Sequence, residues 1–209
     1  MERLSPFQRA VAQAFFELPE ARGFLLAGGG ALLATGLTVR PTKDLDFFGT
    51  MNNTPLRDVI DRFTSTAKSR GWSVTEVQYS DDFARLVLKD EESLVVDFGI
   101  DSPPIAPSYL SEIGPTFAPE ELAGRKLLAL FDRAEARDFA DIFALRSKID
   151  KETLVSRARQ LDNGFDIEVF SVVIRSVSRF DPEDFHPEES AFPAIVEHFH
   201  TWANDLSPQ

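Results

Sequence analysis

The chain contains no cysteine, only three histidines and no long apolar segment. Without cysteine it can form neither disulfide bonds nor thiolate metal sites, which fits a reducing compartment. Its most apolar stretch, residues 24–39, is interrupted by glycine and is too short to span a membrane. The first residues lack a basic segment followed by a long apolar one. We therefore expect a cytoplasmic protein without a signal peptide and without membrane association.

Several familiar site patterns are also missing. The glycines at 28–30 are not followed by the lysine of a phosphate-binding P-loop, and Leu33 stands where a dinucleotide-binding motif needs its third glycine. No serine lies in a nucleophile-elbow pattern. We interpret His186, His198 and His200 as surface residues rather than metal ligands. The formal net charge of -12 argues against nonspecific coating by nucleic acid.

The first half of the sequence mixes helical and strand patterns. Ser5 and Pro6 are typical of a helix start and predict a helix over 5–18. Apolar spacing predicts the other elements, which are a strand at 24–27, a helix after the glycines, a strand at 44–48, a helix at 56–70, and strands at 72–79, 83–90 and 94–100. The last three strands are expected to form an antiparallel meander. The predicted fold class is α+β, with a mixed β-sheet and helices on one side.

A segment rich in proline and serine, residues 101–118, is the best domain boundary in the chain. After it the strand patterns stop. Helices are predicted at 118–133, from about 138, and near 151–161, 166–179 and 188–205. We therefore predict an α/β domain at 1–115 and a helical bundle domain at 116–209.

The stretch from Phe24 to Phe48 combines glycines with paired acids. Gly28 to Gly30 lie between a strand and a helix, where backbone N–H groups can cradle phosphates. Asp44 and Asp46 are two residues apart, so on a strand both carboxylates face the same side. Adjacent carboxylates repel each other unless a cation neutralises them, and hard oxygen ligands favour Mg²⁺. This combination predicts chemistry on a nucleoside triphosphate.

Asp97 lies within the apolar strand pattern at 94–100. A carboxylate in that position is costly unless it is paired or bound to a metal. One interpretation places Asp97 on an edge strand facing solvent. The other makes it a third metal ligand on a strand next to Asp44 and Asp46.

The motif Arg-x-Thr-x-Asp-x-Asp is formed by Arg40, Thr42, Asp44 and Asp46. Together with the preceding glycines and helix, it resembles the nucleotidyltransferase superfamily, and more narrowly the AbiEii/MenT-type toxins of bacterial toxin–antitoxin pairs. Those proteins usually carry Ser or Thr where this chain has Gly30.

A second motif extends the resemblance. Lys126 opens a Lys-Leu-x-Ala-Leu helix that is followed by Arg137-Asp138-x-x-Asp141. By position, Lys126 matches the essential lysine of the family and Asp141 its essential acid. An ammonium group suits the outer phosphates of a nucleotide. Asp141 could hold Lys126, act as a general base or contact the nucleotide, and we interpret Arg133, Arg137 and Asp138 as solvated ion pairs.

The resemblance implies a nucleotidyltransferase-like mixed sheet followed by a helical bundle, with an NTP as substrate and two Mg²⁺ ions. It favours the metal-binding interpretation of Asp97. The implied catalytic residues are Asp44, Asp46, Lys126 and Asp141. The implied metal ligands are Asp44, Asp46 and Asp97. The implied nucleotide-binding residues are Gly29, Gly30, Arg40, Thr42 and Lys126.

The acceptor implied by the resemblance is the 3′ end of tRNA, whose extension would block aminoacylation and translation, and the implied protein partner is a cognate antitoxin. Two alternatives stay open. The acceptor could be a small molecule such as an aminoglycoside, or a protein side chain. The chain could also be a non-catalytic module that only binds a nucleotide or a partner, because Gly30 lacks the usual hydroxyl.

Overall fold

The strands of the first unit form one mixed sheet. The computed structural model describes residues 4–50 and 55–206, and the chain divides into two compact units, Met1–Pro119 and Glu120–Gln209. Within these described residues the sheet consists of β1 Leu25–Ala27, β2 Asp44–Gly49, β3 Ser73–Tyr79, β4 Phe83–Lys89, β5 Ser93–Ile100, β6 Tyr109–Leu110 and β7 Pro115–Thr116. The strand order is β3-β4-β5-β2-β1-β7-β6. The predicted boundary between domains at residue 115 stays a prediction.

The pairing of the strands explains how distant segments of the sequence meet. β3, β4 and β5 form the predicted antiparallel meander. β2 lies between β5, to which it is parallel, and β1, to which it is antiparallel. The two-residue strands β6 and β7 fall in the segment 101–118, for which we predicted only a linker. Strands this short carry no alternating pattern, so the sequence gives no signal for them.

Three α-helices accompany this sheet in the described part of the first unit, α1 Pro6–Phe16, α2 Gly28–Ala34 and α3 Leu56–Ser69, together with a short 3-10 helix at Pro19–Ala21. The Ser5 hydroxyl accepts a hydrogen bond from the Gln8 N–H at 3.1 Å, and the Gln8 side chain accepts one from the Ser5 N–H at 2.8 Å. This reciprocal capping box fixes the start of α1. α3 ends just before Gly71, whose φ of 90° a residue with a side chain rarely adopts.

A cluster of phenylalanines packs α1 and α3 against one face of the sheet. Phe15 of α1 contacts Phe47 of β2 and Phe98 of β5 at centroid distances of 4.4 and 5.1 Å. Phe63 of α3 lies 5.4 Å from Phe98. All four rings are fully buried. Because side chains alternate along a strand, anchoring Phe47 in this core directs its neighbours Asp46 and Phe48 to the opposite face.

The second unit is helical. Its α-helices are α4 Pro119–Arg133, α5 Ala136–Leu145, α6 Lys151–Leu161, α7 Ile167–Arg175 and α8 Phe192–Leu206. Short 3-10 helices at Ser176–Arg179, Pro182–Phe185 and Glu189–Ala191 lie between α7 and α8. His198, predicted as a surface residue, is half-buried, and its ring packs against Phe143 and Trp202. Burial, assisted by Lys151, lowers the pKa of His198 to about 4. Over the described ranges, no helix has the length and apolar character needed to cross a membrane.

Candidate active site

Two acids lie side by side on the sheet face opposite the phenylalanine core. Along β2, Asp44 and Asp46 are half-buried whereas Leu45 and Phe47 are fully buried. The two carboxylates therefore share one face, as the strand spacing predicts. The Thr42 hydroxyl donates a hydrogen bond of 2.5 Å to Oδ1 of Asp44. This contact orients one member of the pair before any ligand is bound.

The glycines bring the start of a helix against this acid pair. α2 begins at Gly28 directly after β1, and its first N–H groups have no acceptors within the helix. Gly28 has a φ of 58°, and a Cβ at that position would lie 1.7 Å from Oδ2 of Asp46. A Cβ at Gly29 would lie 2.8 Å from Oγ1 of Thr42. Glycine is needed here because the backbone occupies the space a side chain would take.

Gly30 is the position where the resembled family carries a hydroxyl. A Cβ there would lie 3.1 Å from the Cδ2 atom of Leu45 and 3.6 Å from the Cδ1 atom of Leu26. A serine at this position would require Leu45 to shift by a few tenths of an ångström. The absence of the hydroxyl leaves the backbone as the only contribution of Gly30 to a ligand.

Asp97 lies next to the acid pair, but its carboxylate is already paired. It is the direct partner of Asp46 in the parallel pairing of β5 with β2. The edge-strand interpretation is wrong, because β5 lies between β4 and β2. Asp97 is only 8 % exposed, and Arg85 donates to both of its oxygens, from Nε at 2.7 Å and from Nη2 at 2.6 Å. The hydrogen bonds from Arg85 to Asp97 raise the pKa of the Arg85 guanidinium, with smaller contributions from Asp46 and Asp44.

Arg85 is the residue that the sequence-based reasoning missed. It faces Asp97 directly in the antiparallel pairing of β4 with β5. The sequence does predict the hairpin that carries Arg85 and Asp97, because a short acidic turn joins two alternating segments. Only the register of that hairpin identifies which residue faces Asp97, and the sequence does not fix the register on its own.

The side chains on this face of the sheet offer Mg²⁺ two carboxylate ligands. Among residues 4–50 and 55–206 there is no group of three His, Cys, Asp or Glu side chains able to hold a metal ion. Mg²⁺ is commonly bound by one or two carboxylates together with substrate phosphates and water. Asp44 and Asp46 supply two such carboxylates, whereas the oxygens of Asp97 are bound to Arg85.

The second predicted motif forms its own cluster within the helical unit. The Lys126 Nζ lies 2.8 Å from Oδ2 of Asp141 and 3.5 Å from Oδ1 of Asp138. Both aspartate side chains are 0 % exposed. Arg133 donates to Asp138 from Nε at 2.8 Å and from Nη2 at 2.9 Å. The interpretation of Asp138 as part of a solvated ion pair is therefore wrong, because it is the buried centre of the cluster.

The pKa of Asp138 reflects its surroundings. Burial raises it, but the hydrogen bond from Arg133 and the charges of Lys126, Arg133 and Arg137 outweigh burial and lower it below the ordinary value of 3.8. Asp138 is therefore ionised at neutral pH. The capping box of Glu135 and Asp138 at the start of α5 fixes its backbone position.

The remaining predicted site residues lie on the segment that leads into β2. The backbone carbonyl of Thr42 accepts a hydrogen bond of 2.9 Å from the buried Gln8 side chain. The Arg40 N–H donates to the Thr38 hydroxyl at 3.2 Å. The structure thus brings Gly29, Thr42 and Asp44 together, and it groups Lys126 with Asp141 in the second unit.

The sequence matches one family model over almost its whole length. The model describes the nucleotidyl transferase AbiEii toxin of a type IV toxin–antitoxin system, and it matches residues 9–204. No curated protein is significantly similar to the chain in sequence.

Solved structures share this fold. JHP933 from Helicobacter pylori is 18 % identical, with 97 % of this chain and 95 % of that protein covered and a TM-score of 0.54. MenT4, a nucleotidyltransferase toxin from Mycobacterium tuberculosis, is also 18 % identical, with 95 % of this chain and 90 % of that one covered and a TM-score of 0.58. At this identity the likeness supports the mixed sheet and flanking helices.

Proposed function

The chain belongs to the AbiEii family of nucleotidyltransferase toxins of type IV toxin–antitoxin systems, and we propose that it transfers a nucleoside monophosphate from an NTP to the 3′ end of tRNA, with Mg²⁺ bound at Asp44 and Asp46. The observation that carries this proposal is the placement of the acid pair directly beside the start of α2. Transfer to that end would block aminoacylation, and a cognate antitoxin would restrain it.

The residues around the acid pair have separate tasks in this proposal. Asp44 and Asp46 bind the cation, and Thr42 orients Asp44. The N–H groups of Gly29 and Gly30 at the start of α2 face phosphate oxygens, since that end of a helix favours anions. Bound Mg²⁺ would neutralise charge on the phosphates. An acceptor hydroxyl then attacks the α-phosphorus in line and loses its proton to solvent, while the bond from that phosphorus to the departing pyrophosphate breaks.

The two-carboxylate donor set has a consequence for the cofactor. Because Asp97 is engaged by Arg85, the protein offers the cation few ligands of its own. Substrate phosphates would complete the coordination. We therefore expect Mg²⁺ and the NTP to bind together, and each to bind more weakly alone.

Arg40, Lys126 and Asp141 are assigned by the resemblance, and their roles in transfer are part of the proposal. Arg40 and Lys126 would bind phosphates of the nucleotide. The short contact of Lys126 with Asp141 supports one of the three roles left open for Asp141, which is to hold the ammonium group in place. Lys126→Met should then lower transfer without changing the contact between Thr42 and Asp44.

The proposal is tested by incubating the protein with each labelled NTP and Mg²⁺, in the presence of bacterial tRNA, total bacterial protein or an aminoglycoside. We expect label to enter tRNA and to be lost in Asp44→Ala. Asp61→Ala is the matched control, because Asp61 is an exposed acid of α3 whose partner is Arg57. Label in protein or aminoglycoside instead of tRNA would show that tRNA is not the acceptor. Full activity of Asp44→Ala would refute the assignment of Asp44 and Asp46 as the transfer site.

A further inference from the structure

A row of three charged residues crosses the sheet on the face of the acid pair. Asp46 on β2, Asp97 on β5 and Arg85 on β4 are direct neighbours in the strand pairings. Residues directly opposite one another share a face of the sheet. Arg85 is therefore on the same face as Asp44 and Asp46, two strands from β2.

Asp97 holds only one edge of the Arg85 guanidinium. The Nε and Nη2 atoms donate to Asp97, whereas Nη1 has no hydrogen-bond partner among the described residues. The Arg85 side chain is 44 % exposed. A planar guanidinium fixed along one edge presents its remaining donors in a defined direction, which suits a phosphate. The carboxylate of Asp97 thus fixes the position of a cation that still faces solvent.

The strand order indicates which substrate the Arg85 guanidinium contacts. β1, which leads into the glycines, and β4, which carries Arg85, lie on opposite sides of β2. With neighbouring strands ~4.8 Å apart, β4 is roughly 10 Å from β2. In an in-line displacement the acceptor hydroxyl approaches opposite the departing pyrophosphate. If the glycines bind the outer phosphates, the acceptor must approach from the side of β5 and β4.

Aromatic side chains flank this position on the same face. Phe83 of β4 and Phe48 of β2 are both half-buried. Each is paired with Gly99 of β5, which lies between them. A Cβ at Gly99 would lie 2.4 Å from the Phe48 ring, so the glycine lets that ring lie over the sheet. The Arg85 guanidinium is 5.7 Å from the centre of the Phe83 ring. Aromatic rings beside an arginine are typical of surfaces that bind single-stranded nucleic acid.

We propose that Arg85, positioned by Asp97, binds a backbone phosphate of the acceptor strand, which makes the acceptor a nucleic acid. This inference rests on the proposed function, because it requires the acid pair to be the transfer centre. Arg85 is a binding residue in this scheme. Asp97 is a positioning residue rather than a metal ligand.

The first test measures binding of unfractionated bacterial tRNA as a function of salt, without NTP. Each protein contact with a phosphate of a single strand contributes about 0.7 to the slope of log affinity against log salt. Arg85→Ala should reduce the slope by about that amount and weaken binding at least about tenfold, the loss expected for one charge-assisted hydrogen bond. NTP affinity, measured by calorimetry with Mg²⁺, should not change.

Arg57→Ala is the matched control for removing a paired arginine. Arg57 donates to both oxygens of Glu76, and its side chain is exposed to a similar extent. Glu76 pairs with the buried Leu86, so this ion pair lies on the other face of the sheet. The control should leave the salt slope unchanged. An unchanged slope in Arg85→Ala, or a loss of NTP affinity instead of tRNA affinity, would overturn the inference.

The second test separates positioning from metal binding. In the Arg85→Ala background, Asp97→Asn should cause no further loss of tRNA affinity. As a single substitution, Asp97→Asn should not raise the Mg²⁺ concentration needed for half-maximal transfer. A further loss of affinity, or a large rise in that concentration, would show that Asp97 has another role. If the Arg85→Ala result holds but the wild type labels no acceptor, the proposed function fails and the binding surface remains.

Discussion

The acid pair on the sheet and the lysine cluster in the helical unit use the same chemical groups in opposite environments. On the sheet, Asp44 and Asp46 are half-buried and Arg85 is partly exposed. In the helical unit, Asp138 and Asp141 are fully buried around Lys126. Both places contain carboxylates within hydrogen-bond reach of cations, and they differ mainly in access to solvent.

This difference decides what each group of charges can do. A buried charge costs several kcal/mol unless it is paired, so the cluster around Lys126 is tied to the folded state. Charges on an open face keep part of their hydration and can exchange a water or a partner for a ligand. We therefore expect substitutions on the sheet face to reduce activity with little loss of stability. Substitutions in the buried cluster should reduce stability first.

The largest expected effect is on transfer, in Asp46→Asn. Loss of one carboxylate from a two-carboxylate cation site should lower the rate of nucleotide transfer roughly a thousandfold, as for other groups that stabilise developing charge. The Tm should change little, because Asp46 is half-buried and faces away from the phenylalanine core. Asp61→Asn serves as the control. A large drop in Tm together with a normal transfer rate would contradict the expectation that substitutions on the sheet face reduce activity rather than stability.

Asp138→Ala should have the largest effect on stability. It removes the two hydrogen bonds that Arg133 donates to Asp138, and of the two aspartates near Lys126 it leaves Asp141. Removing one member of a buried ionic cluster costs about 3 kcal/mol, which corresponds to a Tm lower by roughly 6–12 °C for a chain of this size. Asp132→Ala changes an exposed acid of the preceding helix α4 and should not lower the Tm, and equal losses in both variants would contradict the expected role of the buried cluster. The change in Tm is measured by calorimetric melting of both variants and the wild type.

Gly28→Ala tests whether the start of α2 must touch the acid strand. The new Cβ would take the position of Oδ2 of Asp46, so the carboxylate must move. A displacement of about 1 Å lowers a rate by roughly a hundredfold. Gly36→Ala is a close control, because Gly36 has a similar φ of 71° and no atoms within 4 Å of its would-be Cβ. Both variants should lose similar stability, and only Gly28→Ala should lose transfer.

The smallest effect concerns pH. The folded-state pKa of Asp138 is lowered, so its ionised form stabilises the protein above the ordinary value of 3.8, and that stabilisation is lost as the pH falls through the lowered pKa. The difference in urea midpoint between the wild type and Asp138→Asn should therefore be constant near neutral pH and shrink in acid. A difference that grows in acid would show that the carboxylate is not stabilised by Arg133 and Lys126.

Sequence reasoning located the acid pair because strand periodicity fixes which residues share a face. The α+β fold class is confirmed, and the capped helix at Pro6–Phe16 and the meander through β3, β4 and β5 follow the predicted patterns. Arg85 was missed because its pairing with Asp97 depends on hairpin register. Asp138 was misjudged because helical spacing identifies neighbours along a helix but not which of them the rest of the fold covers.

The most direct measurement is calorimetric titration of NTP into the wild type and into Asp46→Asn, with and without Mg²⁺. We predict tight binding only when the wild type, the nucleotide and Mg²⁺ are all present, because two carboxylates and the substrate phosphates share the cation. Equal binding by Asp46→Asn in Mg²⁺, or binding by the wild type that does not depend on Mg²⁺, would contradict the assignment of the acid pair.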